Sequence, residues 1–287
     1  MRLSAFRKRY HNELCERLIR IHKSSKKKGD YPNNADGDSK ISIKIARGIL
    51  AQICAEPKYG DISGQSAGTL FEQIIKDYIK QSFEQLQHLR PGNWHYSVNS
   101  EISNYEQYAD LAEIESSIKQ DKKLASTFGQ DYIIKSDITI AREPASDEEI
   151  NQDERILEPE DKVSTLTPFR KSNSDTSRPT LHASISCKWT LRSDRAQNVR
   201  TEALNLIRNR KGKLPHIVAV TAEPTLTRIA SLALGTGDID CVYHFALYEL
   251  INTVREINDE SQLDLLEILI EGKRLRDISD LPFDLAV

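Results

Sequence analysis

The sequence predicts an α/β fold, a central sheet flanked by helices, and three observations carry that expectation. Residues 182–191 alternate: His182, Ser184, Ser186, Lys188 and Thr190 fall on one side, and Ala183, Ile185, Cys187, Trp189 and Leu191 on the other. Period two marks a strand with one polar and one apolar face. Two further runs, IIKSDITIA at 133–141 and LPHIVAVTA at 214–222, also read as strands. Between and around them lie segments with the three- and four-residue apolar spacing of helices, the clearest at 70–89.

A chain of 287 residues suffices for one large domain or two small ones, and we expect one domain over 1–287. With 38% hydrophobic and 29% charged residues it is ordinary for a soluble globular protein. A net charge of −3 gives no overall attraction to nucleic acid, but local patches outweigh the sum. The first residues, MRLSAFRKRYHNELCERL, are too charged for a signal-peptide core, and no run reaches the ~18 apolar residues of a membrane span. Cys15, Cys54, Cys187 and Cys241 show no C-x-x-C spacing. They read as reduced thiols of a cytoplasmic protein without a zinc site.

Residues 1–30 carry ten bases against three acids, with Leu14, Leu18 and Ile21 at helical spacing. A solvated surface helix is the favoured reading there, a phosphate-facing arm the other. Residues 29–40 form a Gly-, Asn- and Asp-rich loop that lacks the EF-hand spacing; 41–56 read as helix and 58–68 as loop. Over 70–89 the stripe from Leu70 to Leu89 predicts a core helix, with Glu72 in its first turn as a surface acid favoured by the helix dipole. Residues 100–128 read as further helix and connector. Asp137 interrupts the strand at 133–141 and, if half-buried, needs a partner or a metal. Residues 143–162 hold nine acids and two bases, and 163–180 are rich in Ser, Thr and Pro. Together 143–180 read as a mobile surface excursion between two strands. After the central strand, Ser193 reads as the N-cap of a helix. Residues 188–213 carry eight bases against two acids, a local basic patch of the kind phosphate backbones require. Residues 224–234 read as a loop and short helix bearing Arg228, and 241–257 and 261–275 mostly as helix.

Asp137, Ser186, Lys188 and Glu202 make a chemically sensible set. Two carboxylates from separate elements can hold a divalent metal at a phosphodiester, and a lysine beside them can orient or deprotonate the attacking water. An Asp, a Lys and a Glu at loose spacing carry little weight alone. Their setting carries it: a polar-faced strand, the adjoining Arg192-Ser193-Asp194-Arg195, and the basic patch.

On these residues the chain resembles the restriction endonucleases of the PD-(D/E)xK fold, in the branch that reads CCGG-containing sites. That pattern is an aspartate, a long gap, S-x-K, then a glutamate on the following helix; here it is Asp137, Ser186-Cys187-Lys188 and Glu202. The stretches SISCKWTLRSDRAQN, LNLIRNRKGKLPHIV, ALGTGDIDCVYHFALYEL and GKRLRDISDLPFDLAV carry the likeness across nearly the whole chain. It is weakest in the first twenty-five residues and in the acidic excursion. In the family the aspartate usually follows proline, and here Ser136 precedes it. The proline shapes a turn and is not a ligand, so the assignment is little affected.

The resemblance implies a restriction-endonuclease-like core with a mixed sheet, and two Mg2+ per site held by Asp137 and Glu202. Lys188 handles the water, Glu72 supports the metal site or contacts phosphate, and Ser186 shapes the site. Arg192, Asp194 and Arg195 read the inner CCGG in the major groove, arginine donating to guanine and aspartate accepting from cytosine N4. Asp36 and Arg228 read the outer G·C pair, and Gln65 reaches the minor groove. The implied enzyme cuts double-stranded DNA at GCCGGC after the first G, leaving 5′ CCGG overhangs, as a homotetramer of back-to-back dimers. Two other readings stand beside it: a repair or mismatch nuclease on the same fold, and a DNA-binding protein with a dead site.

Overall fold

The structure, a computed structural model, describes residues 2–23, 29–128, 135–158, 161–171, 177–235 and 237–287. Its centre is a six-stranded mixed sheet in the order β3-β4-β5-β6-β7-β8. The strands are β3 (Trp94–Glu101), β4 (Lys135–Arg142), β5 (Thr180–Lys188), β6 (His216–Thr221), β7 (Cys241–His244) and β8 (Leu275–Asp277). The pairs β3/β4 and β4/β5 are antiparallel; β5/β6, β6/β7 and β7/β8 are parallel. A separate ribbon joins β1 (Ile21–His22) to β2 (Tyr31–Pro32). The expected α/β class with a mixed sheet flanked by helices is what the chain forms.

The helices are α1 (Leu3–Arg17), α2 (Lys40–Ile53), α3 (Gly64–Phe83), α4 (Leu111–Gln120), α5 (Lys122–Phe128), α6 (Asp147–Ile150), α7 (Ser193–Asn209), α8 (Leu226–Ala233), α9 (Leu247–Ile257), α10 (Glu260–Glu271) and α11 (Leu281–Asp284). The long core helix α3 begins six residues earlier than its apolar stripe suggests, because Ser63 caps it by accepting from Ser66 N–H. Glu72 therefore sits beyond the first turn, where the dipole argument does not apply. At the other end the helix gives way to a 3₁₀ turn, and Leu89 is left exposed. Phe71, Ile75 and Ile79 are fully buried, and the helix packs across β3, β4 and β5.

Three strands differ from the sequence expectation. β3 falls where the sequence expectation has no strand, although Trp94, Tyr96 and Val98 alternate with His95, Ser97 and Asn99. β7 lies wholly in a segment read as helix, whereas β8 overlaps the other such segment only at Leu275 and is otherwise unassigned by the sequence. All four residues of β7 are buried, so no polar alternation betrays it. In β5 the polar side is not a solvent face, since His182 and Ser184 are buried beneath their neighbours. The strand ends at Lys188, and Trp189 to Leu191 form the turn into α7. Ser193 is the first residue of that helix, with Arg192 in the cap position.

Cys15 and Cys54 are joined in a disulfide with their Cα atoms 5.7 Å apart, which corrects the expectation of four reduced thiols. The packing of α1 against α2 brings the two side by side. Cys187 and Cys241 are free and buried. Strand positions 133–134 lie outside the described residues. Within the described part of the 143–180 excursion, Ala145 bridges to Arg170 and α6 carries a capping box of Ser146 and Glu149. Arg170 grips Asp147 through two hydrogen bonds of 2.6 and 2.7 Å. No described helix is long and apolar enough to cross a membrane.

The basic N-terminal helix is neither a free surface helix nor a bare cationic arm. Phe6, Tyr10 and Leu14 bury against the body, and Arg7 enters a carboxylate pair. Its guanidinium donates to both oxygens of Asp277 at 2.9 and 2.8 Å and to both of Glu249 at 2.8 and 2.6 Å. Burial pushes both carboxyls up, but the Arg7 hydrogen bonds outweigh it and hold both below their usual range. Arg7→Ala leaves the fully buried Asp277 without its cation and is expected to cost ~3–5 kcal/mol of stability in a denaturant titration. Depressed carboxyls stabilise above the unfolded carboxylate range near ~4 and lose that contribution as pH falls through their folded values. The wild-type protein should therefore lose part of its advantage over the variant on acidification.

Candidate active site

β5 is the middle of the arrangement, with β4 antiparallel on one side and β6 parallel on the other. Ile138 of β4 lies opposite Ile185 of β5, so the residue before it, Asp137, falls beside the carboxyl-terminal end of β5. Asp137 Oδ2 accepts from Lys188 Nζ at 2.7 Å and from Cys187 N–H at 2.7 Å. The carbonyl of Lys188 accepts from Thr221 Oγ1 at 2.8 Å and from Ala222 N–H at 3.3 Å. Trp189, packed edge-on to Phe71 at 5.1 Å and Phe245 at 6.1 Å, pins the turn that follows. The lysine is thus fixed in backbone and side chain.

Glu202 reaches the same place from α7. Its Oε2 accepts from Ser186 Oγ at 3.4 Å. Burial pushes its carboxyl up; Lys188 works against that and Asp137 adds to it. Glu72, on α3, is pushed up to about 7, by burial first and then by the charge of Asp137, with Lys188 and Asn99 opposing. Burial alone would lower Lys188, but Asp137 and Glu202 more than compensate and raise it, so the ammonium is retained. Three carboxylates held near one cation, two of them reluctant to ionise, form a concentrated acidic centre.

A cavity of about 450 Å³ opens over this centre. Gln65 and Glu72 of α3, Lys188, Arg192, Arg195 and Glu202 all line it. Arg195 Nη1 donates to Thr190 Oγ1 at 3.1 Å and to Thr190 O at 3.3 Å, which draws its guanidinium back over the turn. Asp194 is exposed in the first turn of α7. Asp36 and Arg228 lie outside the cavity lining and form an ion pair with each other. The carboxyl of Asp36 is held below its usual range by the Asp38 N–H, with Arg228 and Arg192 adding to it against burial. The structure therefore brings Asp137, Ser186, Lys188, Glu202 and Glu72 together, sets Gln65, Arg192 and Arg195 on the same cavity, and places Asp36 with Arg228 as a separate pair.

Two further residues, one beside Glu72 and one beneath the turn at Leu191, are not marked by the sequence motif. Asn99 adopts a left-handed backbone (φ 52°), which asparagine tolerates better than most residues, and its Nδ2 donates to Glu72 Oε2 at 3.4 Å. Nothing in SVNSE signals that conformation. Glu223 is fully buried two residues past the end of β6. An acid placed at the carboxyl end of a parallel strand was the available signal.

The donor set is of the kind that divalent metal takes. Among the described residues no group of three His, Cys, Asp or Glu side chains converges to hold an ion. Magnesium is usually bound through one or two carboxylates, waters and substrate phosphates, not by an all-protein cage. Asp137 and Glu202 supply hard oxygen donors of that kind, beside a cavity open to a phosphate, and they fit.

Two comparisons bear on what this arrangement is. The NgoMIV restriction enzyme family matches residues 10–287. The type II restriction enzyme NgoMIV of Neisseria gonorrhoeae is 50% identical over 260 residues, covering 89% of this chain and 90% of that enzyme. The match spans the sheet, the acidic centre and the helix that carries Glu202, and the chain belongs to the NgoMIV restriction enzyme family, the type II site-specific deoxyribonucleases.

Proposed function

We propose that this restriction endonuclease cuts double-stranded DNA at GCCGGC after the first G, leaving 5′ CCGG overhangs, with Mg2+ as cofactor. The observation that carries the reading is the Lys188–Asp137 pair with Glu202 beside it, on a cavity whose wall continues into Arg192 and Arg195. Asp137 and Glu202 would hold the metal, two ions per site, and Glu72 would support them. When bound there, Mg2+ neutralises charge growing on the phosphate and on the leaving oxygen. Lys188, kept protonated by Asp137, donates to the attacking water and orients it toward phosphorus. Ser186 holds Glu202 in place.

Arg192, Asp194 and Arg195 would read the inner CCGG, Asp36 with Arg228 the outer G·C pair, and Gln65 the minor groove. The segment 192–195 follows Lys188 within one turn, so base reading and bond cleavage share a rigid connection. A palindromic site calls for two-fold related subunits, and we read the assembly as a cytoplasmic homotetramer of two DNA-holding dimers. Specific recognition separates this reading from a structure-specific repair nuclease, which needs no guanine-reading fork.

The test is digestion of a plasmid of known sequence with and without Mg2+, followed by mapping of the ends. Cuts elsewhere than G/CCGGC overturn the assignment. Arg195→Ala is expected to lose ~1–3 kcal/mol of discrimination, roughly ten- to a hundredfold, between GCCGGC and a duplex altered in the inner CCGG. Asp194→Ala should behave alike by removing the acceptor for cytosine N4. Titrations at fixed salt check both; equal weakening on the two duplexes makes the segment a phosphate clamp.

A further inference from the structure

We infer that Glu223 is a positioning residue that fixes both base-reading groups relative to each other, so that inner and outer base pairs are read as one unit. The inference rests on the proposed reading of Arg192, Asp194, Arg195, Asp36 and Arg228 as base-contacting residues. Glu223 follows β6 and its side chain is completely shielded from solvent. A carboxylate in such a place is costly unless its oxygens are satisfied, and here both are: Oε2 by two separate parts of the chain and Oε1 by Thr225. Oε2 accepts from the backbone N–H of Leu191 at 3.0 Å and lies 3.6 Å from Arg228 Nη1. Oε1 accepts from Thr225 N–H at 3.2 Å and from Thr225 Oγ1 at 2.5 Å.

Those partners are not arbitrary. Leu191 is the last residue before Arg192, so its N–H sets where the 192–195 turn begins. Thr225 is the cap residue of α8, the helix that carries Arg228. Arg228 in turn pairs with Asp36. One oxygen is thus shared between the segment assigned to the inner pairs and the arginine assigned to the outer pair. The preceding residue ties in the loop of Asp36 as well, since Ala222 O accepts from Asn34 Nδ2 at 2.9 Å. A carboxylate suits this post because all its partners are donors. An amide presents one accepting oxygen and one donating NH2, and the NH2 must then face either the two Thr225 donors or Leu191 N–H and Arg228.

The experiment uses Glu223→Gln in the full protein, with binding titrations at fixed salt and no added metal. Three duplexes are compared: GCCGGC, one altered only at the outer pair, and one altered in the inner CCGG. The expected result is a loss of about tenfold or more in preference against both altered duplexes, with binding to the altered duplexes themselves unchanged. Thr225→Val keeps the backbone N–H, removes one of the four donors and should show the same pattern more weakly. That variant carries the test if Glu223→Gln loses its circular-dichroism spectrum. On an Arg228→Ala background, Glu223→Gln should still cost inner-pair preference and add nothing at the outer pair. Loss of preference in Arg228→Ala and Arg195→Ala with none in Glu223→Gln and Thr225→Val overturns the positioning role alone. Equal weakening on all three duplexes also overturns it and leaves Glu223 a structural residue. Undiminished preference in Arg228→Ala and Arg195→Ala overturns instead the base-reading assignment on which the inference rests.

Discussion

Asp137→Ala is expected to cut DNA about a thousandfold or more slowly than the wild-type enzyme, equivalent to ~4 kcal/mol of transition-state stabilisation. Binding to GCCGGC should stay within a few-fold. The expectation starts from the position of Asp137, half-buried near the start of β4, where it touches Lys188 Nζ and Cys187 N–H and none of the residues proposed to read bases. Loss of this carboxylate takes away a proposed metal ligand and the acceptor that holds Lys188. It also removes a negative charge from beside a phosphate, so affinity has no reason to fall. Asp137→Asn separates the two contributions, because an amide oxygen can still accept from Cys187 N–H but carries no charge for metal. If the catalytic loss is electrostatic, the asparagine variant should be nearly as slow as the alanine variant. Plasmid cleavage under single-turnover conditions, paired with gel-shift binding, makes the measurement. Near-normal cutting by either variant removes Asp137 from the active site.

The elements nearest the chemistry were also the most legible in the sequence. Residues 182–188 announce a strand by alternation, and the stripe of α3 announces a buried helix. Asp137 stands out because an acid inside an apolar run needs an explanation. The misreadings have local physical causes. β7 is too short and too buried to alternate, and an adjoining helix dominates its periodicity. Glu72 was placed in a first turn because its helix was read from its apolar stripe, whereas the cap at Ser63 begins it earlier. Glu223 has Thr225 and Arg228 within five residues of it, but Leu191 lies 32 positions away and meets it only through the parallel pairing of β5 with β6, so no local pattern shows what the carboxylate joins. The Asp36–Arg228 pair spans 192 positions, and no local pattern joins its members. The sequence motif points to the acidic centre; only the fold shows that Asp36 and Arg228 pair with each other.

Two lysines of the basic patch make the sharpest contrast, and only their surroundings tell them apart. Lys188 is fixed at the end of β5, with its side chain 18% exposed and its ammonium 2.7 Å from Asp137. Lys211 lies beyond the end of α7, 72% exposed, and pairs with Asp110, itself 64% exposed. Exposed pairs of that kind contribute ~0–1 kcal/mol and are screened by salt. Lys188→Ala is therefore expected to lower the cleavage rate by about a hundred- to a thousandfold, with binding largely kept, because it removes the donor proposed to orient the water. It also leaves Asp137 without its cation in a partly buried site. Lys211→Ala should weaken binding a few-fold across all sequences, reduce the salt dependence of binding by roughly one phosphate contact, and cut at the wild-type rate once DNA is saturating. Single-turnover cleavage at several DNA concentrations distinguishes the two effects, since a binding defect disappears at saturation and a catalytic one does not. If Lys211→Ala stayed as inactive as Lys188→Ala at saturating DNA, the water-orienting role would belong to the wrong lysine.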